Sequence, residues 1–174
     1  MNQPITNYED VAVYGLDPAR EAELIAAQNE CTLVWVTADG SPMAVIMSYL
    51  YHDGRFWMTA TSQRKRIAAM RRDSRVAVVV SSTGTPMRRG KTVTYKGTAV
   101  LHDDALTKEW FYPALAQRLM GRWGQSLVDE FAHMLDSPRR VVIEVVPGLR
   151  VGYDGDKMRD ATTEARDAGA LNWQ

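Results

Sequence analysis

Thiols are almost absent from this chain: Cys31 is the single cysteine in 174 residues. No internal disulfide can form, and a reducing cytoplasm is the compartment expected for such a composition. Histidine is nearly as scarce. His52, His102 and His133 stand far apart, give no metal-ligand spacing, and are read as polar or capping residues. No metal is expected. The sequence also lacks an apolar run long enough to span a membrane and a basic start followed by an apolar stretch, so no span and no leader are expected.

Motifs of nucleophilic and nucleotide chemistry are missing too. There is no Gly-x-Ser-x-Gly elbow, and no dinucleotide-type glycine fingerprint follows a strand pattern. "GTPMRRGKT", Gly84 to Thr92, has five residues between Gly84 and Gly90 where a phosphate-binding loop has four. It also leads into a strand pattern, whereas that loop needs a helix whose amides face the phosphates. It is read as a flexible basic loop. The acid pairs Asp103-Asp104 and Asp129-Glu130 are read as helix caps or solvated charges, and Trp35, Trp57 and Tyr95 as core. Catalytic residues are therefore left unassigned.

The most uneven shortage is of acids in the middle of the chain. Net charge is zero overall, yet Ser62 to Leu101 holds ten Lys or Arg and one acid, Asp73. A wholly basic protein would point to bulk nucleic-acid binding. A local patch in a neutral chain points to one anionic ligand, and the strands show no stacking-aromatic signature of a nucleic-acid binder. No nucleic-acid partner is expected.

The remaining sequence is an ordinary globular composition, 45% hydrophobic and 24% charged, long enough for one domain over 1–174 with its own core. "DPAREAELIAAQNE" (17–30) reads as a helix, with Asp17 as N-cap and Pro18 at the first helical position. "CTLVWVT", "SPMAVIMSYLY" and "RFWMTAT" are strand patterns separated by the turns "ADG" and "HDG". A short helix over 62–73 follows, then the strands "SRVAVVVSS" and "KTVTYKGTAVLHDD". Residues 104–136 read as a helical insert, with Pro113 expected to kink or split its first helix. "RRVVIEVVP" (139–147) is the last strong strand, and "RVGYDG" is expected to extend it past Pro147-Gly148. The stretch 159–174 is expected to be a loose tail apart from Trp173. Six hairpin-linked strands with helices between the later ones predict a mainly β, α+β fold: an antiparallel sheet with peripheral helices, closed as a small barrel to remove its edges.

One segment runs against helix electrostatics. Thr61 and Ser62 read as a helix N-cap, yet Arg64, Lys65 and Arg66 follow at once. Cations at that positive end cost about 0.3–1 kcal/mol each. A bound phosphate would accept from first-turn amides, from hydroxyls and from these cations, at roughly 1.5–3 kcal/mol per charge-assisted bond. Two or three such bonds outweigh the penalty.

With these parts in order, the stretch from "CTLVWVTADGSPMAVIMSYLYHDGRFWMTATSQRKR" through "KTVTYKGTAVL" to "RRVVIEVVPGLRVGYDGDKM" resembles the pyridoxamine 5′-phosphate oxidase-like superfamily of flavin- and deazaflavin-binding split β-barrels. The likeness runs from about Cys31 to Met158 and is nearest to its flavin/deazaflavin oxidoreductase branch. It implies a six-stranded antiparallel split β-barrel, a homodimer with cofactor sites completed by the partner chain, and oxidoreductase chemistry on a small, apolar or planar substrate. It further implies a phosphate set of Thr59, Thr61, Ser62, Arg64, Lys65 and Arg66, and a ring set of Ile46, Met47 and Ser48. FMN is the cofactor expected. The deazaflavin coenzyme F-420 is the alternative, with Arg88, Arg89 and Lys91 available for its longer tail. A non-catalytic flavin or haem binding protein is the rival of another class. Gln63 separates Ser62 from Arg64-Lys65, where the oxidase proper has Ser-Arg-Lys in sequence, and no residues match those that grip pyridoxamine phosphate. The resemblance thus implies a relative acting on another substrate.

Overall fold

The computed structural model describes residues 11–169. Its elements run α1 (Pro18–Ala27), β1 (Glu30–Val36), β2 (Pro42–Ser48), β3 (Leu50–His52), β4 (Arg55–Thr61), α2 (Lys65–Arg72), β5 (Arg75–Ser81), β6 (Lys91–His102), α3 (Ala105–Met120), α4 (Gln125–Leu135), β7 (Arg140–Asp154) and α5 (Gly155–Asp167). The strands form one curled antiparallel sheet in the order β2-β1-β5-β6-β7-β4-β3. Contacts divide the chain into two compact units, one holding residues 29–79 and 94–150, the other 80–93 with the described parts of 1–28 and 151–174.

In the larger unit the sheet alternates cleanly. β4 pairs with β7 from Phe56↔Val145 to Thr61↔Arg140, so Phe56, Met58 and Ala60 share a face with Val141, Ile143 and Val145. All six are buried, with Leu33 and Val78. The opposite face carries Trp57, Thr59 and Thr61 against Arg140, Val142 and Glu144. The α3–α4 pair lies on it: Phe111, Tyr112, Leu115 and Leu135 cluster with Trp57 and Val142. Glu144, buried at 3% exposure, is held there by Arg55 and by the ring of His102 at 2.6 Å.

The smaller unit is tied by charge. The Lys91 ammonium, with no exposed surface, donates to Asp156 at 2.5 Å and to the Arg88 carbonyl at 3.0 Å. Arg20 and Arg159 also reach Asp156, and Lys157 reaches Asp17 at 2.7 Å. Lys91 first, and Arg159 after it, hold the Asp156 carboxyl below its ordinary pKa against the opposing push of burial.

Several expectations need correction. The sheet has seven strands, because the expected strand 41–51 breaks at Tyr49 into β2 and β3. The Tyr49 amide turns aside to the Asn29 carbonyl at 3.2 Å and its ring is buried. Pro113 does not split α3, which runs unbroken for 16 residues with Phe111, Tyr112, Leu115 and Ala116 anchoring one side. The expected extension past Pro147-Gly148 is present: β7 continues through it as a single strand of 15 residues. Where a loose tail was expected from 159, α5 forms, capped by Asp154 accepting from the Asp156 amide at 3.0 Å. Its apolar side is only Ala-sized near the end, which hides it in composition; Trp173 lies outside the described residues. No described helix is long and apolar enough to cross a membrane.

Two predictions follow from the core. A Cβ on Gly97 of β6 would stand 2.6 Å from the Val146 carbonyl oxygen and 3.0 Å from a Val145 methyl. Gly97→Ala is expected to destabilise the fold by about 1–3 kcal/mol, read as a lower urea midpoint. Burial, helped by Glu30, pushes the Cys31 thiol up to about 12. At pH 8 the folded chain is expected to resist a disulfide-exchange reagent, and the urea-unfolded chain to react at once.

Candidate functional site

β4 delivers Thr59 and Thr61 to the outer face of the sheet, and the turn after it carries the cations. Thr59 Oγ1 donates to the Val141 carbonyl at 3.0 Å. The helix begins later than the hydroxyl pair implies: its N-cap is Arg64, not Thr61 or Ser62. The Ser62 amide continues the sheet by donating to Arg139 at 2.7 Å, and the Arg64 amide closes a turn on Thr61 at 3.0 Å. Two amides expected to face an anion are therefore already bonded. Recognition of an anion at this turn falls on the side chains.

Those side chains lack counter-charges. Among the described residues no carboxylate lies within ion-pair distance of Arg64, Lys65 or Arg66. Arg64 and Lys65 are exposed, whereas Arg66 is half-buried with its Nε sealed from water and without a partner. Burial first, and the Arg64 cation second, pull the Arg66 guanidinium below its ordinary pKa. An unpaired cation beside another cation is an electrostatic vacancy for an anion.

The expected ring residues line a cavity of about 230 Å³. On its sheet side stand Ile46, Met47, Ser48, Thr59 and Arg140; on its helix side, Leu115 and Leu119 of α3 with Phe131, Met134 and Leu135 of α4. The sheet wall mixes Ile46 and Met47 with the polar Ser48, Thr59 and Arg140, and the helix wall is wholly apolar. The structure thus brings Ile46, Met47, Ser48 and Thr59 together. The expected tail residues belong to the smaller unit. Lys91 is bonded to Asp156, Arg88 Nε lies 3.9 Å from the same carboxylate, and Arg89 is exposed. A larger cleft of about 600 Å³, lined by Asp103, Lys108, Glu109, His133 and Asp136, holds none of the expected site residues. No metal-binding group of His, Cys, Asp or Glu occurs among the described residues.

Arg140 and the apolar helix wall escaped the sequence reading. "RRVVIEVVP" reads as a strand start, and only the register with Thr61 reveals which of its two arginines joins the Thr59–Thr61 face. The available signal was alternation: Arg140, Val142 and Glu144 share one face of a strand whose other face is purely apolar.

Among curated proteins none matches this chain. Solved structures do. The conserved hypothetical protein Rv2991 from Mycobacterium tuberculosis superposes with a TM-score of 0.70 at 20% identity, covering 82% of this chain and 88% of that one. An F-420 reductase gives 0.56 at 20% identity over 74% and 93% of the two chains. HutZ, the haem storage protein from Vibrio cholerae, gives 0.59 at 12% identity over 80% and 97%. At such identities these likenesses show the shared fold. The family assignment rests on sequence: the pyridoxamine 5′-phosphate oxidase profile matches residues 18–149, and this chain belongs to that family.

Proposed function

We propose that the chain is a flavin-type oxidoreductase that binds FMN and moves a hydride or electron pair to or from a small, apolar or planar substrate. The observation that carries this reading is the uncompensated cation run at the end of β4, with a sealed and unpartnered Arg66 Nε. Thr61, Ser62, Arg64, Lys65 and Arg66, with Thr59, are the residues that would hold the cofactor's phosphate. Backbone groups of Ile46, Met47 and Ser48 would meet the polar edge of its ring, and the α3–α4 wall would exclude water from the other side. The cofactor, when bound, supplies the hydride chemistry; the protein's part is to bind, orient and shield it. That division of labour suits a site without an acid–base pair.

The reading includes a homodimer. β2 is a sheet edge, and Ile46 on one of its faces and Met43 on the other are both exposed, an edge that a second copy would cover. A cytoplasmic location, expected from the single buried thiol, belongs to the same reading. The deazaflavin alternative draws on the fold likeness to an F-420 reductase. It is weakened by Lys91, whose engagement with Asp156 leaves only Arg88 and Arg89 for a longer tail.

Titration with FMN and with coenzyme F-420, followed by absorbance and fluorescence, tests the choice. FMN is expected to bind. Replacing Arg64 and Arg66 together by Ala is expected to weaken it by about a hundredfold or more, since each charge-assisted bond contributes roughly 1.5–3 kcal/mol. The apo double variant should melt no lower than wild type, because it loses a like-charge contact and no ion pair. Replacing Arg88 and Arg89 by Ala should leave FMN affinity unchanged and weaken only F-420. A wild-type protein that binds haemin and neither flavin would replace the enzyme reading with that of a carrier.

A further inference from the structure

The two walls of the cavity are joined beside it by a polar contact. Ser48 is the last cavity-lining residue of β2, and Tyr49 follows it at the break between β2 and β3. On the other wall Leu115 and Leu119 of α3 line the cavity, and Arg118 stands between them in sequence. The Arg118 guanidinium carbon lies 5.4 Å from the centroid of the Tyr49 ring. Each partner of this contact is therefore the chain neighbour of a residue that lines the cavity.

Tyr49 is a fixed post. It has no exposed surface, its ring packs edge-on against Phe56 at 5.3 Å, and its amide is committed to the Asn29 carbonyl at 3.2 Å. Burial raises the pKa of the phenol, while the Arg118 cation and its hydrogen bond to the phenol pull the other way. The phenol stays protonated at neutral pH, and its oxygen accepts from the guanidinium. The helix is anchored unevenly. Phe111, Tyr112 and Leu115 belong to the buried cluster around Trp57 and Val142. One turn further on, Leu119 is half-buried and borders the cavity.

An apolar helix wall that faces a gap gains by closing on the sheet, because apolar surface then leaves water. Apolar packing has no preferred direction, so by itself it would let the last turn of α3 settle inward. A planar guanidinium bonded to a fixed phenol sets both a distance and an angle. We infer that Arg118 is a positioning residue: through Tyr49 it sets the spacing between the α3 wall and the backbone of Ile46, Met47 and Ser48, and so the slot open to a flat ring. Arg118 is not among the residues that line the cavity, so it acts through its neighbours on either wall. That the ring is a flavin rests on the reading above, whereas the tie between the walls does not.

Wild type, Arg118→Met, Arg118→Lys and Tyr49→Phe are compared as full-length chains. FMN and lumiflavin, the ring without ribityl chain or phosphate, are titrated into each by fluorescence, with urea midpoints measured alongside. Arg118→Met is expected to weaken both ligands by roughly fivefold or more, and by the same factor, because the slot loses its preorganisation while the cations of α2 are untouched. Arg118→Lys should recover part of the loss, and Tyr49→Phe, which keeps the ring beside the cation, should lose less. Affinities within about twofold of wild type, whatever the urea midpoint, would reduce Arg118 to a structural contact and overturn the proposal. A loss confined to FMN would make Arg118 a phosphate ligand and overturn it too. If Arg118→Met does not fold, the other two variants answer the same questions. Amide hydrogen exchange of the unliganded proteins adds a readout that needs no flavin. In Arg118→Met, exchange over 46–49 and over 115–120 is expected to quicken together by about tenfold or more, with 58–60 and 141–143 unchanged. A wild type that binds neither flavin sinks the cofactor reading alone, and this pattern then decides the tie: quickening confined to 115–120, or none, overturns it.

Discussion

The ladder between β4 and β7 is the constraint on which the larger unit depends. Its register sends Phe56, Met58 and Ala60 inward with Val141, Ile143 and Val145, and sends Thr59, Thr61 and Arg140 outward. A slip of one residue would exchange the two sets, turning two threonines and an arginine into the core behind the sheet and Phe56, Met58 and Ile143 out of it. Glu144 sharpens the choice. In the observed register it meets Arg55 and His102 on the helix-covered face. In the slipped one it would enter a core with no cation to pair it, and an unpaired buried carboxylate costs several kcal/mol (~3–5). The site is thus a by-product of a register fixed for stability.

Charge is distributed by a second logic. The basic stretch from Ser62 to Leu101 divides into a paired part and an unpaired part. In the smaller unit, Lys91 and Arg88 meet Asp156, a residue supplied from far along the chain. The folded Asp156 carboxyl sits below its ordinary pKa, so its contribution is present above the unfolded value and is lost as pH falls through the folded one. Nothing comparable reaches Arg64, Lys65 and Arg66. On the reading proposed above, these cations at the end of a strand and beside two threonines are the ones that would meet an anionic ligand.

How much of this was legible in the sequence follows from the range of each signal. Local signals worked: Asp17-Pro18 starts α1, and Asp53-Gly54, with φ of 49° and 72°, makes the two-residue turn between β3 and β4. Signals that need a partner strand were invisible. The break at Tyr49 depends on an amide that turns to Asn29, and the late start of α2 depends on Arg139 claiming the Ser62 amide. Arg140 could be counted as a cation but not placed, since its face is set by pairing with Thr61. Lys91 misled in the opposite way. In sequence it looks like another free cation of a basic loop, and only Asp156 makes it structural.

The helical insert then decides what the outer face can be used for. A sheet face carrying Thr59, Thr61 and Arg140 would, if left open, be an ordinary solvated surface. Covering it with Leu115, Leu119, Phe131, Met134 and Leu135 does two things at once. It lowers the local dielectric, which strengthens any charge-assisted bond made to Arg140. It also sets an apolar plane opposite a strand edge whose backbone can hydrogen-bond, the pair of surfaces that a flat heteroaromatic ring with one polar edge requires. Neither surface alone selects such a ring. On the reading proposed above, selectivity would come from holding them a cavity's width apart, and the side chains packed between sheet and helices, Trp57, Phe111 and Val142 beneath α3, are not among those that line the cavity.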